Sequence, residues 1–173
     1  MIASAGDSAV SNGRRRLSCS DPAKPLAPVE VDRVIADRET VQLGGIILTA
    51  HLTPGHTKGC TTWTMPVATE GKTYQVVFYC STSVVDRLVN NRAYPNIASD
   101  YEHTFAKLRH LPCDVFLAPH GSFFRRDDKL AAIQQGRKDA FVDPTELQKF
   151  VDESASAFRQ ELAKQQAGVK TTK

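Results

Sequence analysis

A chain of 173 residues with 41% hydrophobic and 24% charged residues has the composition of an ordinary globular domain, which excludes disorder throughout. No apolar run approaches the ~20 residues that a membrane-spanning helix needs, and Met1-Ile2-Ala3-Ser4 shows no signal peptide. The net charge of +3 is too small to argue for nucleic acid; Arg14-Arg15-Arg16 is the only basic run, lacks interleaved aromatic residues and reads as a solvated loop, so neither a nucleic-acid nor a membrane partner is expected.

Residues 1 to 13 read as a short strand and a short helix ending at Gly13. Pro22, Pro25 and Pro28 make residues 17 to 29 a loop. Val31 to Ile35 is a strand and Asp37 to Thr40 a turn. Val41 to Leu43 and Ile46 to His51 are β-rich runs separated by Gly44-Gly45. Thr61 to Met65 and Thr73 to Tyr79 follow, and Glu70-Gly71-Lys72 between them predicts an antiparallel hairpin.

Beyond residue 80 the period changes. Ile97, Tyr101, Phe105, Leu108 and Leu111 recur at helical spacing, and Asp114 to Ala118 is a short apolar strand. A helix through Leu130 and Ile133 ends near Gly136. The last helix has Asp143 as N-cap, Pro144 at its first position and Glu146 three residues after the cap, the pattern of a capping box. Leu147, Phe150, Val151, Phe158 and Leu162 line one face of it, and the residues from Gly168 to Lys173 read as a frayed tail. Strands dominate the first half and helix–strand–helix units the second, which makes this an α/β layered protein without internal repeats.

Two loops carry the chemistry. Thr53-Pro54-Gly55-His56-Thr57-Lys58-Gly59 follows the strand that ends at His51, and Ala118-Pro119-His120-Gly121-Ser122 follows Val115-Phe116-Leu117. Each sets one histidine among glycine and proline at the C-terminal end of a strand, where α/β folds place their sites. One such histidine is as readily a structural hydrogen-bonding group as a ligand; two in the same context strengthen the chemical reading. His51 lies on a strand and reads as structural, and His103 and His110, seven apart on a helix, as a solvated face. Among Cys19, Cys60, Cys80 and Cys113 no C-x-x-C pair occurs, which excludes a zinc ribbon. One or two disulfides stay open, but burial as small hydrophobic residues is the preferred reading.

The stretch from His51 through Gly55-His56-Thr57 to Trp63 resembles the metallo-β-lactamase segment in which Gly-His-Thr supplies a zinc ligand. Leu111-Pro112-Cys113-Asp114-Val115-Phe116-Leu117-Ala118-Pro119-His120-Gly121 resembles the last ligand loop of that family, and Val34 to Asp37 with Val41 to Gly45 fits its subclass B3 pattern. The resemblance covers almost the whole chain, read as one partial domain over residues 1–173. It implies the C-terminal portion of an αββα sandwich, with His56 in the first zinc site and His120 in the second. It also implies Ser81 and Ser83 as hydrogen bonds to a substrate carboxylate, since Phe78-Tyr79-Cys80-Ser81-Thr82-Ser83 lacks the aspartate that glyoxalase-type and nuclease-type relatives carry at that strand end. Cys80 is expected to be a buried thiol, and relatives often pair the cysteine equivalent to Cys113 with one further on, which residues 121 to 173 do not contain.

The implied activity is hydrolysis of a small-molecule β-lactam by a zinc-bound hydroxide, with two zinc ions in the intact parent, a periplasmic or secreted location and antibiotic resistance as the role. The His-x-His-x-Asp-His motif of the family is absent from the sequence. Two histidines cannot complete a catalytic zinc, which needs three protein ligands and an open position, so the chain alone is expected to be inactive. The alternatives are another hydrolase of the fold, a lactonase or thioesterase, or a non-catalytic remnant. Oligomeric state is not legible.

Overall fold

The computed structural model describes residues 2–6 and 30–170. The helix end at Gly13, the arginine run, the proline loop, Cys19 and Thr171 to Lys173 lie outside the described residues.

Seven strands are described: β1 (Ile2–Ser4), β2 (Arg33–Ile35), β3 (Thr40–Leu43), β4 (Ile46–Leu52), β5 (Thr61–Thr69), β6 (Lys72–Phe78) and β7 (Val115–Leu117). They are joined by α1 (Ile97–Arg109), a 3-10 turn at Gly121–Phe124, α2 (Arg126–Gln134) and α3 (Glu146–Lys170). β1 and β2 pair in parallel, and the other five form one sheet in the order β3-β4-β5-β6-β7, antiparallel except for β6 and β7. The mixed α/β architecture expected from the sequence is present.

Turn chemistry sets the register. Leu43 pairs with Ile46 across Gly44-Gly45, and Thr69 with Lys72 across Glu70-Gly71. All four turn residues have positive φ (56°, 83°, 50° and 75°), the two-residue geometry whose twist suits flanking strands. The second hairpin is longer than its apolar run suggested, because pairing continues through Pro66 to Thr69 at the turn.

The helical faces read from the sequence are the buried ones. Ile97, Tyr101, Phe105 and Leu108 of α1 and Leu147, Val151 and Phe158 of α3 form one cluster with Val77, Tyr79 and Phe116. Side chains alternate along a strand, so Trp63 and Phe78, which pair with each other, face the other way and are half-buried. β1 meets the large sheet at the β4–β5 loop. Ser4 Oγ donates to the Gly59 carbonyl at 3.1 Å, and a Cβ on Gly6 would come within 2.3 Å of the Lys58 carbonyl oxygen.

Three expectations need correction. Cys60 and Cys80 are not buried thiols but a disulfide, since adjacent strand ends bring their Cα atoms to 5.8 Å. Cys113 is the buried free thiol that was expected. Asp143 lies in the turn before α3, three residues ahead of its start at Glu146, and caps that turn, with Oδ1 accepting the Thr145 amide at 2.9 Å and the Thr145 hydroxyl at 2.7 Å, but Glu146 does not close the capping box. Its carboxylate pairs instead with the buried Lys129 of α2, and the Asp143 amide goes to the Asp114 carbonyl at 2.9 Å. Finally, residues 168–170 continue α3 rather than fray.

Candidate metal and substrate site

Strand register brings the two histidine loops to one edge. Leu52 pairs with Thr61, so residues 53–60 close the end of the β4–β5 hairpin. Trp63 pairs with Phe78, which puts the C-terminal end of β6 at that edge, and Phe78 pairs in parallel with Leu117, which adds the end of β7. The Tyr79 amide donates to the Leu117 carbonyl at 2.8 Å and keeps the two chain exits together. His56, Ser81, Ser83 and His120 therefore all leave the same end of the sheet.

The His56 loop is held internally and from below. The Thr53 amide bonds the Cys60 carbonyl at 2.9 Å, the Gly55 amide bonds Thr57 at 3.1 Å, and the Thr53 and Thr62 hydroxyls meet at 3.0 Å. From α1, the Thr104 hydroxyl donates to the Pro54 carbonyl at 2.7 Å. Gly55 has φ +138°, and a Cβ there would come within 2.9 Å of the Tyr101 ring. Glycine is required on both counts.

His56 Nδ1 lies 2.7 Å from the Ser83 carbonyl oxygen. A carbonyl only accepts, so Nδ1 carries the proton, and Nε2 makes no hydrogen bond to a described residue. The same carbonyl takes the Tyr101 hydroxyl at 2.7 Å. Ser81 is buried and its Oγ accepts the Ser83 amide at 3.2 Å, while the Ser83 side chain is exposed. The disulfide ties the His56 loop to the serine loop.

His120 is exposed at the N-terminal end of the 3-10 turn, and its ring stands edge-on to Phe123 with centroids 5.0 Å apart. Phe124, one residue further on, is buried in the core cluster. Asp86 accepts the Arg87 amide at 2.7 Å. His51 Nε2 meets the Thr64 hydroxyl at 2.9 Å within the sheet, and His103 is exposed on α1 with His110 at its C-cap. Burial, the largest influence, lowers the His51 pKa below its ordinary value, with Asp37 opposing. Sequence reasoning placed Tyr101 on the helical face but missed its contact with the site, and left the disulfide open without a pairing; a tyrosine on an otherwise apolar helical face was the available signal for the first, because a buried hydroxyl must find a partner.

No family model matches the chain. Solved structures do. The native FEZ-1 metallo-β-lactamase from Legionella gormanii is similar over 95% of this chain at 39% identity and a TM-score of 0.88. BJP-1, a subclass B3 metallo-β-lactamase of Bradyrhizobium japonicum, matches 97% at 34% identity and 0.89. A Cronobacter sakazakii metallo-β-lactamase matches 96% at 34% and 0.86. The fold is that of a β-lactamase-type hydrolase. The chain belongs to the metallo-β-lactamase superfamily, and within it to subclass B3. It spans about two thirds of its relatives' length, covering 65% of FEZ-1 and 64% of BJP-1.

Proposed function

We propose that the chain is the C-terminal part of a zinc-dependent hydrolase of the β-lactam amide bond. His56 and His120 are its contribution to two zinc sites, and Ser81 and Ser83 are hydrogen-bonding groups for the substrate carboxylate. The observation that carries this reading is the His56 imidazole, whose Nδ1–H is engaged by the Ser83 carbonyl while Nε2 stays open. A neutral imidazole with its second nitrogen fixed in this way is the form that ligates zinc. His120, an exposed imidazole at the same sheet edge, has the same donor chemistry.

The donor chemistry fits, but the set is partial. Among the described residues no three His, Cys, Asp or Glu side chains are grouped to hold a metal ion. On this reading the remaining ligands lie in a His-x-His-x-Asp-His segment outside these 173 residues. Zinc, when bound, supplies Lewis acidity toward a carbonyl and a nucleophile available at neutral pH. The chain's own residues hold and orient: α1 fixes the His56 loop, and Ser81, which accepts the Ser83 amide, keeps its hydroxyl hydrogen to donate to an anionic group. The hydroxyl-rich stretch after β6, with no aspartate before Asp86, supports a β-lactam substrate over a lactone or thioester. The Cys60–Cys80 disulfide supports an oxidising location, periplasmic or secreted, where a role in antibiotic resistance would be exercised. Among the described residues no helix is long and apolar enough to cross a membrane.

The test is metal analysis and a chromogenic-cephalosporin assay on the protein carrying the complete ligand set. Zinc binding with hydrolysis is expected, both lost in His56→Ala and in His120→Ala and both retained in His103→Ala. Hydrolysis of lactones but of no β-lactam would keep the fold and refute the substrate. Unchanged zinc content in His56→Ala would refute the site.

A further inference from the structure

We infer that Tyr101 is a positioning residue for His56, acting through the backbone carbonyl of Ser83. The inference rests on the reading of His56 as a ligand. Three contacts converge. The Tyr101 hydroxyl donates to the Ser83 carbonyl oxygen at 2.7 Å, and His56 Nδ1 donates to the same oxygen at 2.7 Å. The Tyr101 ring is also the surface on which Gly55, the residue before His56, rests, leaving no room for a Cβ. One side chain thus sets the height of the histidine loop and the position of the atom that fixes the histidine's tautomer.

A carbonyl oxygen has two lone pairs. With the hydroxyl on one and the imidazole on the other, the oxygen is saturated and its position determined. Ser83 is itself exposed although Ser81 and Thr82 before it are buried, and its amide is held by Ser81 Oγ at 3.2 Å; without the phenol its carbonyl would keep only the imidazole and could tilt toward water, and Nδ1 would lose its fixed acceptor. Tyr101 itself is completely buried, stacked against Phe105 and packed at a tilt on Phe158, with centroids at 6.1 and 4.9 Å. It is therefore a fixed point, anchored in the core and reaching the site edge only by its hydroxyl. Desolvation, then the fields of Tyr79 and Asp86, raises its pKa, so the hydroxyl is a donor at neutral pH. Partners that orient a ligating histidine change metal affinity by about 10–100-fold when removed.

Tyr101→Phe separates the two functions of the side chain, since it keeps the ring under Gly55 and deletes the donor. Long-range proton–nitrogen correlation spectra of the histidine rings, a thermal melt and a zinc titration of the full chain make the test. The expected result is a folded variant in which His56 changes from one Nδ1-protonated form to a mixture of tautomers, with zinc affinity at His56 lowered about 10-fold and His103 unaltered. A variant that folds and retains a single Nδ1-protonated His56 overturns the proposal. Should the variant not fold, the unsubstituted chain still decides: His56 protonated at Nε2, or a Tyr101 hydroxyl proton that exchanges as fast as a free phenol, overturns it. The ligand reading fails separately, by a zinc titration that His56→Ala leaves unchanged while the tautomer result stands.

Discussion

Gly55 sits where the chain must pass over an aromatic ring at φ +138°, with 2.9 Å between its missing Cβ and Tyr101. Because Tyr101 is fully buried, the ring cannot yield to a methyl group. Gly55→Ala is therefore expected to cost about 2 kcal/mol or more in a denaturant titration and to shift the His56 resonances. A variant with unchanged stability would mean that the loop is not seated on α1. Cys113 gives a second residue-scale test. Burial, then nearby Asp114 and Glu146, pushes its thiol up to about 12, so at pH 8 it is almost entirely protonated and enclosed. An alkylating reagent should modify it only after unfolding; rapid labelling of the folded chain would contradict that placement. At this scale the sequence showed the ligand candidates, because Gly-His-Thr and Pro-His-Gly are local patterns. It could not show the His56–Ser83 bond, which joins residues 27 apart, or the Cys60–Cys80 pairing, which depends on β5 and β6 lying side by side.

Among the elements, the β5–β6 hairpin is closed twice, by the Glu70-Gly71 turn at one end and by the disulfide at the other. A cross-link closing a loop of this size, 20 residues in separation, stabilises by about 3 kcal/mol through the unfolded chain. Reductant should lower the denaturant midpoint accordingly and loosen the His56 and Ser81–Ser83 loops together; equal midpoints in oxidised and reduced samples would remove the disulfide from the account. The start of α3 has its own pH dependence. The hydrogen bonds from the Thr145 hydroxyl and amide lower the Asp143 pKa below its ordinary value. A depressed carboxylate contributes stability that is complete above its unfolded pKa and is lost as the pH falls through the folded one. Asp143→Ala should cost about 1 kcal/mol at pH 7 and flatten the acid limb of the stability curve, whereas an acid limb identical to that of the unsubstituted chain would exclude the cap from it. Period-two and period-3.6 patterns made β4, β5, β6, α1 and the apolar face of α3 legible. The end of α3 was not legible, because Gly168 signals fraying while the helix is tied back from outside. Gln165 Oε1 accepts the Leu88 amide at 2.8 Å, a contact between residues 77 apart.

Over the whole molecule, the large sheet is covered by α1 and α3 on one face, and on the other it presents Trp63 and Phe78 half-buried. Ile2 and Val34, on the two-stranded sheet, are 40% and 50% exposed. Apolar surface left in water forgoes about 25 cal/mol per Å² of burial. Together with the 65% coverage of FEZ-1, this agrees with a chain that forms one part of a two-sheet sandwich. The αββα layering was readable from the resemblance alone; hydrophobic period does not reveal a partner sheet. With a partial donor set, the 173-residue chain is expected to show no β-lactam hydrolysis with added zinc. Robust turnover of a carbapenem, abolished by a chelator, would contradict that.

The central claim is that His56 and His120, out of five histidines, are the zinc-facing pair. The most direct measurement is a zinc titration of the chain followed at all five imidazoles by ring-nitrogen and ring-proton resonances. The account predicts that His56 and His120 respond together, at Nε2 in the case of His56, while His51, His103 and His110 stay unchanged. A first response at His51 or His103, or a His56 that binds zinc through Nδ1, would contradict it.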